Sequence, residues 1–316
     1  MITILTAPSA KPGYKISSFL KRNIKRYLLN KPIPKYSGHF AVTRSLLEGL
    51  KKIDISYNYN PSKKSHYAAH VHVLAGVETL RYAIKLKRSG KIKRLTAGPN
   101  IVIAATDFSG LICSPEIDQY LVNSEWTKKA YLLDAPILEN RINYFPSGVD
   151  AHFWNITKKS TGQLHLLFYN KRPDPVLFDQ CISIAEKYNA HISVLNYGSY
   201  TLDNFKQKLQ ETDFVIYFVD QESQGIAMFE IWATDTPTMH WNPGYWIHQQ
   251  KKYESSSAPY LSDQTGRFFS DAAEFENLFI EKKLTVALYS PKKWIQQNGT
   301  DEICAQKFLT ATKYKQ

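Results

Sequence analysis

Short apolar runs alternate with stretches of helical period along most of the chain. ITILT predicts a buried strand over residues 2–6, and SGHFAVTRSLLEGLKK predicts a helix behind a Ser37-Gly38 start, with Val42, Leu46 and Leu50 on one stripe. IDISYNY (53–59) and HVHVLA (70–75) predict strands. A helix from Val77 to Lys87 follows, then short strands at Ile101 to Ala104 and Tyr120 to Val122, a helix over Trp126 to Leu133 and a strand over Arg141 to Phe145. The rhythm resumes near residue 163 with LHLLFYN as strand, PVLFDQCISIAEKY as helix, HISVLNY as strand, LDNFKQKLQ as helix and FVIYFV as strand. Gly225 to Ala233 then predicts a helix and Thr238 to Trp241 a strand. Strands alternating with helices imply parallel sheets covered on both faces, so the fold class is α/β with two doubly wound, Rossmann-like domains in tandem. PSGVDAHFWNITKKSTG, residues 146–162, mixes turn formers with polar residues and breaks the periodicity, which marks a linker. The expected domains are 1–157 and 158–300, with a C-terminal helix over 301–316 that packs back on the first domain.

A length of 316 residues fits two domains, and 43% hydrophobic with 22% charged residues fits globular packing. No run approaches the roughly 20 apolar residues of a membrane span, and MITILTAPSAKPGYK places its apolar residues before its positive ones, the reverse of a secretory signal. A cytoplasmic protein is expected. Cys113, Cys181 and Cys304 have neither disulfide nor zinc spacing. The net charge of +12 favours anionic partners. Its densest stretch, KISSFLKRNIKRYLLNK (15–31), has Ile16, Phe19, Leu20, Ile24, Tyr27 and Leu28 at helical spacing among Lys21, Arg22, Lys25 and Arg26. Such a helix either rests on an anionic membrane as a peripheral contact or turns its apolar face to the core.

In open α/β sheets ligands bind beyond the carboxyl ends of the strands. The loop that draws attention is FVIYFVDQESQGIAMFEIWATDTPT, which leaves a buried strand, passes Asp220 to Gln224 and enters a helix near Gly225. Glu222 and Glu230 are eight steps apart, about 12 Å if that stretch is helical throughout, which is the span of a nucleotide-sugar. One carboxylate could accept from sugar hydroxyls and the other from ribose, with the helix N-terminus offering N–H groups to a diphosphate. Equally, two glutamates at a helix start answer the helix dipole. Lys171 and Arg172, at the end of LLFYNKRPD, stand side by side at the carboxyl end of a predicted strand, where a surface charge pair is also ordinary. Asp220-Gln221-Glu222 has the spacing of an oxygen-ligand cation site, but no Asp-x-Asp motif is present and no metal is expected. His70 and His72 are read as facing opposite sides of their strand, where one could approach an acceptor or sugar but a core or surface histidine is the more ordinary reading. The aromatic residues of HWNPGYWIHQQKKY suit stacking on a base or sugar as well as packing.

ESQG-IAMFE-IWATDTP resembles the Glu-seven residues-Glu motif of the large retaining GT-B glycosyltransferase family, with Ser223 and Asp235 standing at two positions where the family has Gly. YLVNSEWTKKAYLL followed by INYFPSGVDAHFW resembles that family's domain boundary, and SGHFAVTRSLLEGL its first loop and helix, with Gly38-His39 in place of Gly-Gly. The resemblance implies a GT-B fold of two Rossmann-like domains facing a central cleft, acceptor side first. It implies a glycosyltransferase that takes a UDP- or GDP-sugar and retains the anomeric configuration. It further implies catalytic roles for Glu222, Lys171 and Arg172, and donor contacts at Glu230, Gly225, Gln224, Ser223 and Gly38. The acceptor could be a glycan, a lipid-linked sugar or a protein. A nucleic-acid-binding or base-modifying protein would account for the charge, but no helix-turn-helix, zinc or RNA-binding signature accompanies it. A module that binds a sugar nucleotide without turning it over is the other alternative.

Overall fold

The computed structural model describes residues 1–7, 38–62, 66–159 and 162–314. The basic stretch 15–31 lies outside the described residues. By contact, the chain divides into two units: Met1–Asn123, Lys128–Phe145 and Ala305–Gln316 in the first, Ser124–Thr127 and Pro146–Cys304 in the second.

The first unit is built on β1 (Ile2–Leu5), β2 (Tyr57–Tyr59), β3 (His70–Ala75), β4 (Arg94–Asn100), β5 (Gln119–Val122) and β6 (Ile142–Tyr144). They form one sheet in the order β2-β1-β3-β4-β5-β6, every pairing parallel. Helices α1 (Gly38–Lys52) and α2 (Val77–Arg88) accompany it, as does α3 (Glu125–Asp134) from Lys128 onward, its first residues clustering with the second unit. Val42, Leu46 and Leu50 of α1 are buried, as their stripe requires. Three expectations need correction here. The fourth strand is Arg94–Asn100, and residues 101–104 are a bend whose Ile101 and Ala104 are buried without pairing. The second strand keeps only Tyr57–Tyr59 of the expected 53–59, because Asp54 closes α1 with a left-handed φ of 57°. His70 and His72 share a face: His70 Nε2 and His72 Nδ1 each lie 2.9 Å from the Thr96 hydroxyl, since side chains two apart on a strand point the same way. That face is covered by the end of the chain. Phe308 meets His72 and Phe145 edge-on, and Tyr314 stacks on His70.

The second unit has β7 (His165–Asn170), β8 (His191–Asn196), β9 (Phe214–Phe218), β10 (Thr238–Trp241) and β13 (Gly266–Phe269) in the order β13-β10-β9-β7-β8, again all parallel. Alternate residues of the central strands β7 and β9 feed two cores. Leu167, Tyr169, Val215 and Tyr217 pack under α5 (Leu202–Glu211), α6 (Ile226–Ala233) and α8 (Pro291–Asn298). Leu166, Phe168, Ile216 and Phe218 pack under α4 (Pro175–Lys187) and α7 (Ala272–Ile280). Burial on both faces is why these strands read as continuous apolar runs. Local chemistry sets the helix starts: Asp174, Thr201 and Asp271 cap α4, α5 and α7 by accepting main-chain N–H groups, and Pro175 takes the first position of α4. An antiparallel hairpin, β11 (Tyr245–His248) and β12 (Lys251–Glu254), lies between β10 and β13 in sequence.

The division after Phe145 falls upstream of the expected 157/158 boundary. The PSGVD segment is tied into the second unit: the Val149 N–H donates to the Gly299 carbonyl at 3.0 Å, and the Ser147 N–H donates to the Gln224 side chain at 2.8 Å. Helix α9 (Asp301–Ala311) contributes its first turn to the second unit, and its residues from Ala305 cluster with the first.

Candidate functional site

The chain runs from β7 out to β8 at one edge of the second sheet and from β9 through β10 to β13 at the other. The carboxyl ends of the neighbouring strands β7 and β9 are therefore the switch point, where a doubly wound sheet opens a crevice. Asn170 pairs with Phe218 across these strands. The next two N–H groups of the β7 chain, those of Lys171 and Arg172, both donate to the Phe218 carbonyl, at 3.0 and 3.2 Å. This main-chain contact brings the basic pair against the loop that leaves β9.

Lys171 Nζ forms an ion pair with the Glu222 carboxylate; the two side chains are only 17% and 12% exposed. The same ammonium lies 4.8 Å from the Tyr197 ring centroid. Arg172 donates from Nε to Asp220 Oδ1 and from Nη2 to the Gln221 carbonyl, each at 2.5 Å, in a pair about half exposed. Each cation thus has a carboxylate of its own, and an added anion would compete with Glu222 and Asp220 for them. Tyr217, stacked on Tyr169, sets its hydroxyl 3.5 Å from Glu222 Oε1. Burial first, and the Glu222 charge second, hold the Tyr217 phenol well above its ordinary pKa; Tyr200 is raised by burial, with the Glu230 and Glu222 charges adding. Both glutamates therefore act electrostatically on the same two phenols.

The separation assumed for an unbroken helix does not hold, because α6 starts only at Ile226. Gly225 precedes it with φ 83°, a left-handed conformation that side chains rarely take, and no side chain caps α6. The first N–H groups of α6 thus follow directly on the Glu222 loop. Glu230, in the second turn, is 4% exposed. Asp235 occupies the position where the resembled family has Gly, and it adopts the left-handed φ of 61° that a glycine there would serve. Its Oδ1 also accepts from the Lys292 N–H at 3.1 Å, so the departure keeps the backbone shape. Ser223 is exposed. Gln224 is buried and spends its amide on the main chain of Ser147, accepting at 2.8 Å and donating at 2.6 Å, so it anchors the segment entering the second unit. Gly38 belongs to the first unit, as the exposed first residue of α1. Among the described residues no group of three His, Cys, Asp or Glu could hold a metal ion.

Sequence reading missed Trp126 and the 255–257 loop. The Trp126 indole N–H donates to the Glu222 carbonyl at 2.8 Å, and the Glu222 N–H donates to the Ser256 carbonyl at 3.0 Å. Main-chain contacts between distant segments leave no signal in side-chain pattern. No helix among the described residues is long and apolar enough to cross a membrane.

Two parallel doubly wound sheets, each with its own core, define the GT-B class of fold. Solved structures of that class superpose on nearly the whole chain. The lipopolysaccharide outer core galactosyltransferase WaaB matches with TM-score 0.55 at 13% identity over 98% of both chains. HepE from Anabaena, solved in complex with UDP, matches with TM-score 0.56 at 11% identity over 99% of this chain and 100% of its own. WaaG, a glycosyltransferase involved in lipopolysaccharide biosynthesis, matches with TM-score 0.52 at 8% identity over 100% of both. No protein-family model and no curated protein sequence matches the chain.

Proposed function

We propose that this protein is a glycosyltransferase that moves a sugar from a UDP- or GDP-sugar to a glycan, lipid-linked or protein acceptor, with retention and without a metal. The observation that carries the reading is the pairing of Lys171 with Glu222 and of Arg172 with Asp220 at the switch point, in the loop that leads into the uncapped start of α6. Breaking the bond between sugar and diphosphate leaves a positive sugar and an anionic leaving group. Lys171, Arg172 and the α6 N–H groups supply fixed positive charge and dipoles to the departing phosphate. Glu222 accepts from the sugar hydroxyls, and Glu230 from the ribose. The departing phosphate takes the acceptor proton on the same face, so no protein nucleophile is needed. The first unit serves the acceptor. The protein works in the cytoplasm, with 15–31 as a peripheral contact to a membrane that carries the acceptor. The complex of HepE with UDP, and the fact that WaaB is a galactosyltransferase and WaaG a glycosyltransferase, support this reading.

The test is release of free nucleoside diphosphate from a panel of UDP- and GDP-sugars, with and without candidate acceptors. One donor should be turned over, slowly by water and faster with its acceptor. Binding without any turnover would make the protein a non-catalytic module, and neither binding nor turnover would remove the reading.

A further inference from the structure

Glu222 is held at three points. Its carboxylate meets Lys171, its N–H donates to the Ser256 carbonyl at 3.0 Å, and its own carbonyl accepts from Trp126 Nε1 at 2.8 Å. The last two fix the main chain of a residue outside any helix or strand, in the loop between β9 and α6. Trp126 is itself braced: its ring meets Trp246 edge-on at 6.0 Å, and Trp246 stacks on His248 and packs against Tyr253. All belong to the second unit, although Trp126 lies in the four-residue segment Ser124–Thr127, apart in sequence from the rest of it. The hairpin therefore braces the indole, and the indole grips the loop.

We infer that Trp126 is a positioning residue, holding the Glu222 main chain so that its carboxylate stays in register with Lys171 and with the sugar of a bound donor. The inference rests on the proposed donor site and adds a residue to it. A loop carbonyl that loses its donor turns to water, and the carboxylate then samples orientations in which it cannot meet sugar hydroxyls. Ligands that carry a sugar should lose by this, whereas those ending at the diphosphate should not, since a loosened carboxylate competes less for Lys171.

The variant is Trp126→Phe, which keeps a ring against Trp246 and removes only the N–H. Amide hydrogen exchange in the 219–224 segment should quicken by a factor of about three to ten, the worth of one hydrogen bond, with the melting temperature close to that of the parent. For the sugar nucleotide found by the panel, kcat/KM should fall by a similar factor while the affinity for its free nucleoside diphosphate holds or rises, as the loosened carboxylate competes less for Lys171. In a Glu222→Gln background Trp126→Phe should add little to the loss of turnover, because the placed carboxylate is already gone. Unchanged exchange in 219–224 would show that the indole bond restrains nothing. Equal losses for the sugar nucleotide and the free diphosphate, or full additivity with Glu222→Gln, would show a structural effect and overturn the inference. If no sugar nucleotide is bound by the parent, the donor-site reading falls and the positioning role falls with it, while the exchange experiment still decides whether the clamp exists.

Discussion

Replacing Glu222 by Gln should act in opposite directions on two ligands. The Glu222 carboxylate neutralises Lys171, so a diphosphate must displace it. Two unit charges about 4 Å apart at an effective dielectric constant of about 20 interact by about 4 kcal/mol. Both side chains retain some exposure, the freed ammonium is partly rehydrated, and the amide keeps one hydrogen bond, which leaves a net effect of about 1–2 kcal/mol. Pyrophosphate, and the preferred nucleoside diphosphate, should therefore bind the variant about 5–30-fold tighter. The intact sugar nucleotide gains the same relief but loses a charged acceptor for its hydroxyls, and turnover should drop about tenfold or more. Calorimetry at 0.15 M salt reads the first effect and diphosphate release the second. Asp220→Asn should show a smaller gain, because its pair with Arg172 is 45% and 42% exposed. Weaker pyrophosphate binding by Glu222→Gln would refute the argument, since Glu222 would then be supporting the anion rather than competing for Lys171.

Glu230→Ala should weaken the nucleoside diphosphate by about 1–3 kcal/mol and leave pyrophosphate unaffected; equal affinities in calorimetry would remove the ribose role. Turnover should survive EDTA, because Lys171, Arg172 and the α6 start carry the phosphate charge; complete loss restored by magnesium or manganese would move Asp220 and Glu222 into a metal site. Burial lowers the pKa of His70 to about 4, and of His72 and His240 to about 3, below the ordinary value of 6.5. The unfolded chain then binds more protons, so this stability is fully present above pH 6.5 and is lost as the pH falls toward 3–4, by up to about 1.4 kcal/mol per pH unit for each group. His240→Gln should flatten that slope in denaturant titrations between pH 6 and 4, and an unchanged slope would contradict a buried neutral imidazole there.

The elements that sequence pattern predicts well are those whose pattern matches their burial. HVHVLA and TMHW are strands with the expected ends, and HLLFYN begins one residue later than expected, because both faces of each sheet are covered. The fourth strand escaped because RLTAGPN contains Gly-Pro, a turn signal. In the sheet, a Cβ on Gly98 would lie 2.0 Å from the Leu121 carbonyl, so glycine is what lets β5 come close. IVIA beyond it has the apolar run but only packs. The hairpin at Tyr245–Glu254 turns on Gln249 and Gln250, both with positive φ (48° and 66°), without the Asn-Gly signature that would announce it. At the site, Lys171, Arg172, Asp220 and Glu222 could be read as strand-end residues. Their pairing could not, because it depends on β7 lying beside β9, which only the sheet order supplies. For the same reason the bonds of Gln224 to the main chain of Ser147 leave no signal in the sequence.

The central claim is that the switch point of the second sheet holds the diphosphate of a sugar nucleotide. The most direct measurement is the affinity of UDP, GDP and their sugars for the parent protein and for Lys171→Ala/Arg172→Ala, with folding checked by thermal melting. One base should be preferred, and its diphosphate should bind the double variant on the order of a hundredfold more weakly, as the loss of two charge-assisted contacts requires. A folded double variant that binds the same diphosphate with parental affinity would place the anion elsewhere and contradict the account.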